Sequence, residues 1–262
     1  MAELITEGTI VRRAYDIIRR NAPFDQVLEV FGKENVTLTS EQDIAFARRM
    51  GLCSDGSYVA SGFEYKAGVK PLWTRNSTLS KNAQLAKEAV RANAQGKYLS
   101  TSDTAIYDEH LAIAEQEQKQ GKAPEERSVL ILPERKNFVI SPTQNPETFR
   151  GILGNDGEKY LTHINRGGIT VYPIAETTVD AQKGTILTQS WFGSLGYGSE
   201  LGGSDGDLYY NYAVRGVRPS AEGIAKIFGD PAKVKNYVAL LQGVRTGERP
   251  ASELEALIKE FS

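Results

Sequence analysis

The hydrophobic periodicity of this 262-residue chain changes twice along its length. In residues 1–62 and again in residues 220–262, apolar residues recur three and four positions apart, which is typical of helices with one buried face. Residues 63–219 carry two helical stretches and many short β-branched or apolar runs bounded by turn residues. This order predicts an α+β fold with a central domain and helical additions at both termini.

Three helices are predicted in residues 1–62. The first spans residues 10–20 and ends before Pro23, because proline cannot continue a helix. The second begins at Phe24, and the third follows Ser40, whose side chain can cap the first turn.

The central domain and the C-terminal extension follow the same reasoning. Amphipathic helices are predicted over residues 78–94 and 103–117, and residues 146–153 are compatible with a further short helix. A capping box at Ser252 predicts the last helix of the extension. The short apolar runs predict strands at 65–73, 129–132, 138–140, 168–174, 185–187 and 212–217.

Composition excludes several classes of protein. The single cysteine, Cys53, rules out an intramolecular disulfide, and only two histidines rule out a three-histidine metal site. We therefore expect no cofactor and no bound metal. A net charge of −2 gives no reason to expect nucleic acid as a partner. The chain shows neither a signal peptide nor an apolar run of membrane-spanning length. These features predict a soluble protein that is cytoplasmic, or that reaches a virion or cell surface by a non-classical route.

The most informative stretch is residues 192–212. Fifteen of its 21 residues are Gly, Ser, Asp or Tyr, and Phe192 with four tyrosines makes it too aromatic for a disordered segment. Antibody loops share this composition, because tyrosine offers a large contact area at little entropic cost while Ser and Gly adapt their hydrogen bonds. The composition favours a binding surface over a plain loop.

Two motifs together resemble the C-type-lectin-type fold, in its formylglycine-generating-enzyme-like branch. The segment 96–101, GKYLST, leads into the predicted helix 103–117 and is similar to the family's strand-turn-helix consensus GKRLPTEAEWEYA. Ser190-Trp191, followed later by the sequence RGVRP at 215–219, is similar to the family's GGSW … GFR ending. The resemblance covers roughly residues 65–219 and implies short strands with two helices.

The resemblance also implies a function. The cysteine-pair and three-histidine chemistries of enzymes in this branch need residues that this chain lacks, so it points to the variable proteins of diversity-generating retroelements, which are not enzymes. In these proteins the rewritten codons precede the final strand and can encode a residue set that excludes Lys, Gln, Glu, Met and Trp. Only Glu200 of residues 192–212 lies outside that set.

The implied partner is a protein or another macromolecular ligand. Trp191, Val214 and Val217 are expected in the core, and Arg218 is expected to brace the scaffold by hydrogen bonds to backbone carbonyls. The ligand-facing residues are expected to be Phe192, Ser194, Tyr197, Ser199, Glu200, Ser204, Asp205, Asp207, Tyr209, Tyr210 and Tyr212.

Two other functions stay open at this point. The chain could be an enzyme on the same fold with an unrecognised site. It could also be a DNA-associated regulator that uses residues 24–50 as a helix-turn-helix, with Arg48 and Arg49 on the second helix.

Overall fold

The computed structural model describes residues 5–10, 15–203 and 207–219, and within them the protein has the predicted mixed α+β fold. The helices are α1 (Phe24–Lys33), α2 (Glu41–Arg49), α3 (Thr78–Lys81), α4 (Ala83–Asn93), α5 (Ala105–Lys119), α6 (Pro146–Leu153), α7 (Gly157–His163) and α8 (Glu176–Asp180). The strands are β1 (Ile5–Ile10), β2 (Tyr15–Asn21), β3 (Thr37–Leu38), β4 (Ser57–Lys66), β5 (Leu72–Thr74), β6 (Leu99–Thr101), β7 (Val129–Ile131), β8 (Phe138–Ile140), β9 (Ile169–Tyr172), β10 (Thr185–Phe192), β11 (Leu201–Gly202) and β12 (Ala213–Pro219). The helices predicted in residues 220–262 lie outside the described residues.

The described strands form one mixed sheet. Its main path runs β1-β2-β12-β4-β10-β11-β9-β8, and the remaining strands pair along its sides. β4 and β10 are antiparallel neighbours at its centre. The pairings of β4 with β12 and of β9 with β11 are parallel.

The predicted helix over residues 10–20 is wrong, because residues 15–21 form β2, which pairs antiparallel with β1. β2 also pairs with β12 over seven residue positions, from Asn21 opposite Ala213 to Tyr15 opposite Pro219. Ile17 and Ile18 are β-branched and suit a strand as well as a helix, so the pairing with distant β12 decides between them.

The predicted boundary after residue 62 is also wrong as a domain division. It falls inside β4, and β2 lies in the same sheet as the strands of the central region. Residues 15–62 are therefore an integral part of the central fold, and they contain strands as well as the helices α1 and α2.

The predicted cap of α2 at Ser40 is confirmed. Ser40 and Asp43 form a reciprocal capping box at the start of α2. The single helix predicted over residues 78–94 is instead two, because Asn82 leaves the helical conformation and its side chain accepts hydrogen bonds from the backbone N–H groups of Gln84 and Leu85.

Neighbouring residues of β4 and β10 point into different parts of the core, as the alternation of a strand requires. Phe63, Ile186 and Phe192 belong to the larger cluster, which also includes Trp73 from β5. Tyr58 and Leu187 belong to a second cluster with residues of α1 and α4. The two central strands are therefore covered on both faces.

The described residues contain no helix that is long and apolar enough to cross a membrane. Cys53, the only cysteine of the chain, is half-buried.

Candidate ligand-binding cavity

A cavity of about 480 Å³ opens where β10 ends and β4 begins. Four aromatic side chains line it, from Tyr58, Tyr172, Trp191 and Tyr212, together with the carboxylates of Glu200 and Asp207. Its volume lies in the usual range for a small-ligand site, and apolar walls with a few polar groups are typical of such sites.

Trp191 forms one wall of the cavity. It lies opposite Tyr58 in the β4–β10 pairing, and the two rings meet edge to face with centroids 4.9 Å apart. The indole also packs directly on Gly56, where a Cβ atom would come within 2.2 Å of the ring. Trp191 was expected in the core, but it is only half-buried and turns its free side to the cavity.

Three tyrosines continue the aromatic surface out of the cavity. The ring centroids of Tyr209 and Tyr210 are 4.1 Å apart, those of Tyr210 and Tyr212 are 5.6 Å apart, and those of Tyr212 and Trp191 are 5.4 Å apart. A hydrogen bond with Tyr210 raises the pKa of Tyr209 to about 12, so this phenol stays neutral at physiological pH. We call Trp191, Tyr209, Tyr210 and Tyr212 the aromatic row.

Several of the predicted ligand-facing residues lie in the cavity lining or in the aromatic row. Ser194, Glu200, Asp207 and Tyr212 line the cavity, and Tyr209 and Tyr210 follow in the row. Ser204, Asp205 and the side chain of Tyr197 lie outside the described part of the chain.

The prediction is wrong for Phe192 and Ser199. Both side chains are fully buried, and neither lines the cavity. Phe192 follows Trp191 in β10, so its ring points to the opposite face of the sheet, into the larger core cluster. The hydroxyl of Ser199 accepts a hydrogen bond from Tyr160 Oη at 2.6 Å, inside the protein.

Arg48 contacts the start of the segment 192–212 from inside the protein. Its side chain is buried, and its guanidinium lies over the Phe192 ring at 4.6 Å. It donates hydrogen bonds to the carbonyls of Gly193 (2.6 Å) and Asp55 (2.9 Å) and to Tyr160 Oη (2.8 Å). Arg48 therefore ties the loop before β4 to the end of β10, the two segments that border the cavity.

The role of Arg48 was missed, although the sequence contains a signal for it. Arg48 follows Ile44 by four positions, which puts it on the buried stripe of α2 and not on a solvated face. A helix-turn-helix reading needs Arg48 exposed to DNA, and its burial contradicts that role.

β12 also contributes Arg215 to the scaffold, a role that was not predicted from the sequence. Arg215 is fully buried, donates to the carbonyl of Gly56 at 3.0 Å and forms an ion pair with Asp55. Arg218 is only half-buried. Val214 is buried as predicted, whereas Val217 is half-buried and packs at the edge of a small cluster.

A separate polar cluster lies near the other end of β4. His110 Nδ1 is 2.9 Å from both carboxylate oxygens of Glu64, and Thr78 Oγ1 donates to the same carboxylate. The hydrogen bond to Glu64 raises the pKa of His110. Glu64 is six positions beyond Tyr58 in β4, about 20 Å along an extended strand, so this cluster is separate from the cavity.

The described residues contain no group of three or more His, Cys, Asp or Glu side chains placed to hold a metal ion. Comparisons of the chain with models of protein families, with curated proteins and with solved structures gave no match.

Proposed function

We propose that this protein is a non-catalytic binding protein whose recognition surface is the cavity together with the aromatic row. One observation carries the proposal: a single segment, residues 192–212, supplies both acidic groups of the cavity and most of the aromatic row. The segment is tied to the scaffold through Arg48. A rigid support of this kind suits binding, because little order has to be gained when the ligand arrives.

A C-type-lectin-like scaffold is the finer part of the proposal. In support of it, the GKYLST segment contains β6 and leads into α5, in the strand-turn-helix order of the resemblance. β6 pairs with β10, which carries Trp191, and β10 pairs in turn with β4, the neighbour of β12. The segments that carry the resemblance therefore belong to one part of the sheet.

The variable-protein reading is proposed on the composition of the segment and on the placement of its side chains. Tyr209, Tyr210 and Tyr212 could change without loss of core packing, whereas Phe192 and Ser199 could not. The expected partner is a protein or another macromolecule. A reverse transcriptase gene nearby, with a near-repeat of the DNA encoding residues 190–219, would support this reading.

The decisive experiment compares binding by two matched double variants. Tyr210→Ser with Tyr212→Ser alters the aromatic row, and Val69→Ser with Ile113→Ser alters apolar residues elsewhere. The four residues are similarly exposed, at 48%, 42%, 38% and 39%. Ligands selected on the wild-type protein from a peptide library and a glycan array should lose about tenfold or more in affinity for the tyrosine variant only, because aromatic residues dominate binding hot spots.

Stability is the control for this comparison. Both double variants should unfold in urea within about 1 kcal/mol of the wild type, because exposed substitutions change stability little. Trp191→Ala should lower the free energy of unfolding by about 3 kcal/mol, because its ring packs on Gly56 and Tyr58. Ligand affinity that survives the tyrosine changes, or falls equally in the control variant, would contradict the proposed surface.

A further inference from the structure

The geometry of the cavity points to the chemical class of its ligand: we infer that it receives an organic cation, an ammonium or guanidinium group. This inference rests on the proposed function and adds which chemical group of the ligand the cavity binds. The cation could belong to a lysine or arginine side chain of a partner protein, or to a free amine.

The charged side chains that line the cavity are both acidic. Glu200 and Asp207 line it, both half-buried, and no described lining residue is a lysine, arginine or histidine. A cation that enters would meet two carboxylates in a partly desolvated space, where their attraction is stronger than in bulk water. An anion would meet the same two charges as a barrier.

The buried arginines Arg48 and Arg215 do not enter the cavity to neutralise these two carboxylates. Arg48 lies over Phe192, whose ring points to the opposite face of the sheet from Trp191. Arg215 is paired with the carboxylate of Asp55 and bonded to the carbonyl of Gly56. Both guanidinium groups therefore lie behind the walls and bind to backbone and core groups.

The aromatic walls complement the carboxylates. The rings of Tyr58 and Tyr212 both contact Trp191, at interplanar angles of 69° and 49° to it, and Tyr172 also lines the cavity. Inclined rings offer a cation π-faces from more than one direction, and tryptophan is the strongest side chain for this contact. Carboxylates and aromatic faces in one cavity form a cage suited to an ammonium group.

A neutral sugar is the main competing ligand, since it can also stack on aromatic rings and donate hydrogen bonds to carboxylates. The experiment that separates the two uses choline and 3,3-dimethylbutan-1-ol, which have the same shape and differ by the positive charge. Binding is followed through the NMR signal of the Trp191 indole N–H. We expect choline to bind with a Kd of about 1–10 mM and the neutral alcohol to bind at least about tenfold more weakly.

Variants that remove one carboxylate charge at a time test whether Glu200 and Asp207 bind the cation. Glu200→Gln and Asp207→Asn keep the shape of each side chain and should each weaken choline binding by about fivefold. Glu158→Gln removes a carboxylate from an exposed position on α7, outside the cavity lining, and should leave the Kd unchanged. Unchanged melting temperatures of all three variants exclude unfolding as the cause.

The outcomes separate this inference from the proposed function. Equal binding of choline and its neutral isostere, binding of methyl glucoside in preference to choline, or a choline Kd above about 50 mM would overturn the cationic ligand. In each case the aromatic-row experiment still tests the binding surface independently. A lysine peptide that binds much more tightly than choline, and loses this on acetylation of the lysine, would identify a partner's side chain as the source.

Discussion

Two buried arginines shape the border of the cavity. Arg48 bonds to the carbonyls of Asp55 and Gly193, and Arg215 bonds to the carbonyl of Gly56 and pairs with the carboxylate of Asp55. A guanidinium has five N–H donors in a fixed fork, so one side chain can hold several backbone acceptors in place. The loop before β4 is therefore held by two side chains that are not part of the cavity lining.

Arg215 and Arg218 give a matched pair for testing this role on one strand. Arg215→Ala should lower the free energy of unfolding by about 3 kcal/mol, because it leaves a cavity and an unpaired carbonyl at Gly56. Arg218→Ala should change it by less than about 1 kcal/mol, because that side chain is half-exposed. Urea unfolding measures both. Equal losses for the two variants would mean that Arg215 has no special bracing role.

At the scale of single elements, α2 is unusual because its buried face is partly polar. Glu41 and Arg48 lie on the same face as Ile44 and Ala45, and all four are buried. The Glu41 carboxylate accepts a hydrogen bond from Trp73 Nε1 at 3.1 Å and another from Ser61 Oγ. Burial in this setting raises the pKa of Glu41, because the charged form loses its hydration.

This raised pKa gives stability a pH dependence with a definite sign. In the folded protein Glu41 keeps its proton as pH rises past its ordinary value near 4.5, while in the unfolded chain it ionises. Its favourable contribution is therefore complete below that pH and is lost, by at most about 1.4 kcal/mol per pH unit, as pH rises toward the folded pKa.

Glu41→Gln should remove that component, because the amide oxygen can still accept both hydrogen bonds and does not ionise. The measurement is the difference in unfolding free energy between wild type and variant from pH 4 to pH 8. We expect the variant to gain stability relative to the wild type as pH rises. A difference that stays constant across this range would show that Glu41 ionises equally in both states.

At the scale of the whole molecule, the two ends of the described chain meet in the sheet. β2 pairs with β12 along all seven residues of each strand, and β12 in turn joins β4. β12 also carries Arg215 and directly follows the aromatic row. β2 therefore supports the strand that sets the position of the cavity border.

Removing residues 1–21 should therefore destabilise the protein as a whole and not only trim an appendage. The deletion exposes one edge of β12, which becomes a site for pairing with other chains. We expect a lower melting temperature, loss of hydrogen-exchange protection at Val214 and Gly216, and aggregation. Unchanged protection in β12 would show that the hairpin is independent of the sheet.

The sequence alone determined the features that depend on neighbouring residues. The N-cap residue Ser40 predicted the start of α2, and the aromatic and glycine content of residues 192–212 singled out the segment that borders the cavity. A helix cap depends on residues within one turn, and the composition of a segment is read from its own residues. Neither signal depends on distant parts of the chain.

Only the tertiary structure decided which side of each strand faces the core. Trp191 and Phe192 are adjacent and both aromatic, yet one lines the cavity and the other is buried, because the pairing of Trp191 with Tyr58 sets the register of β10. The strand β2 was predicted as a helix for the same reason, since its partner β12 is distant in the chain. A register of strand pairing is a long-range contact, and a shift by one residue exchanges every inward and outward side chain.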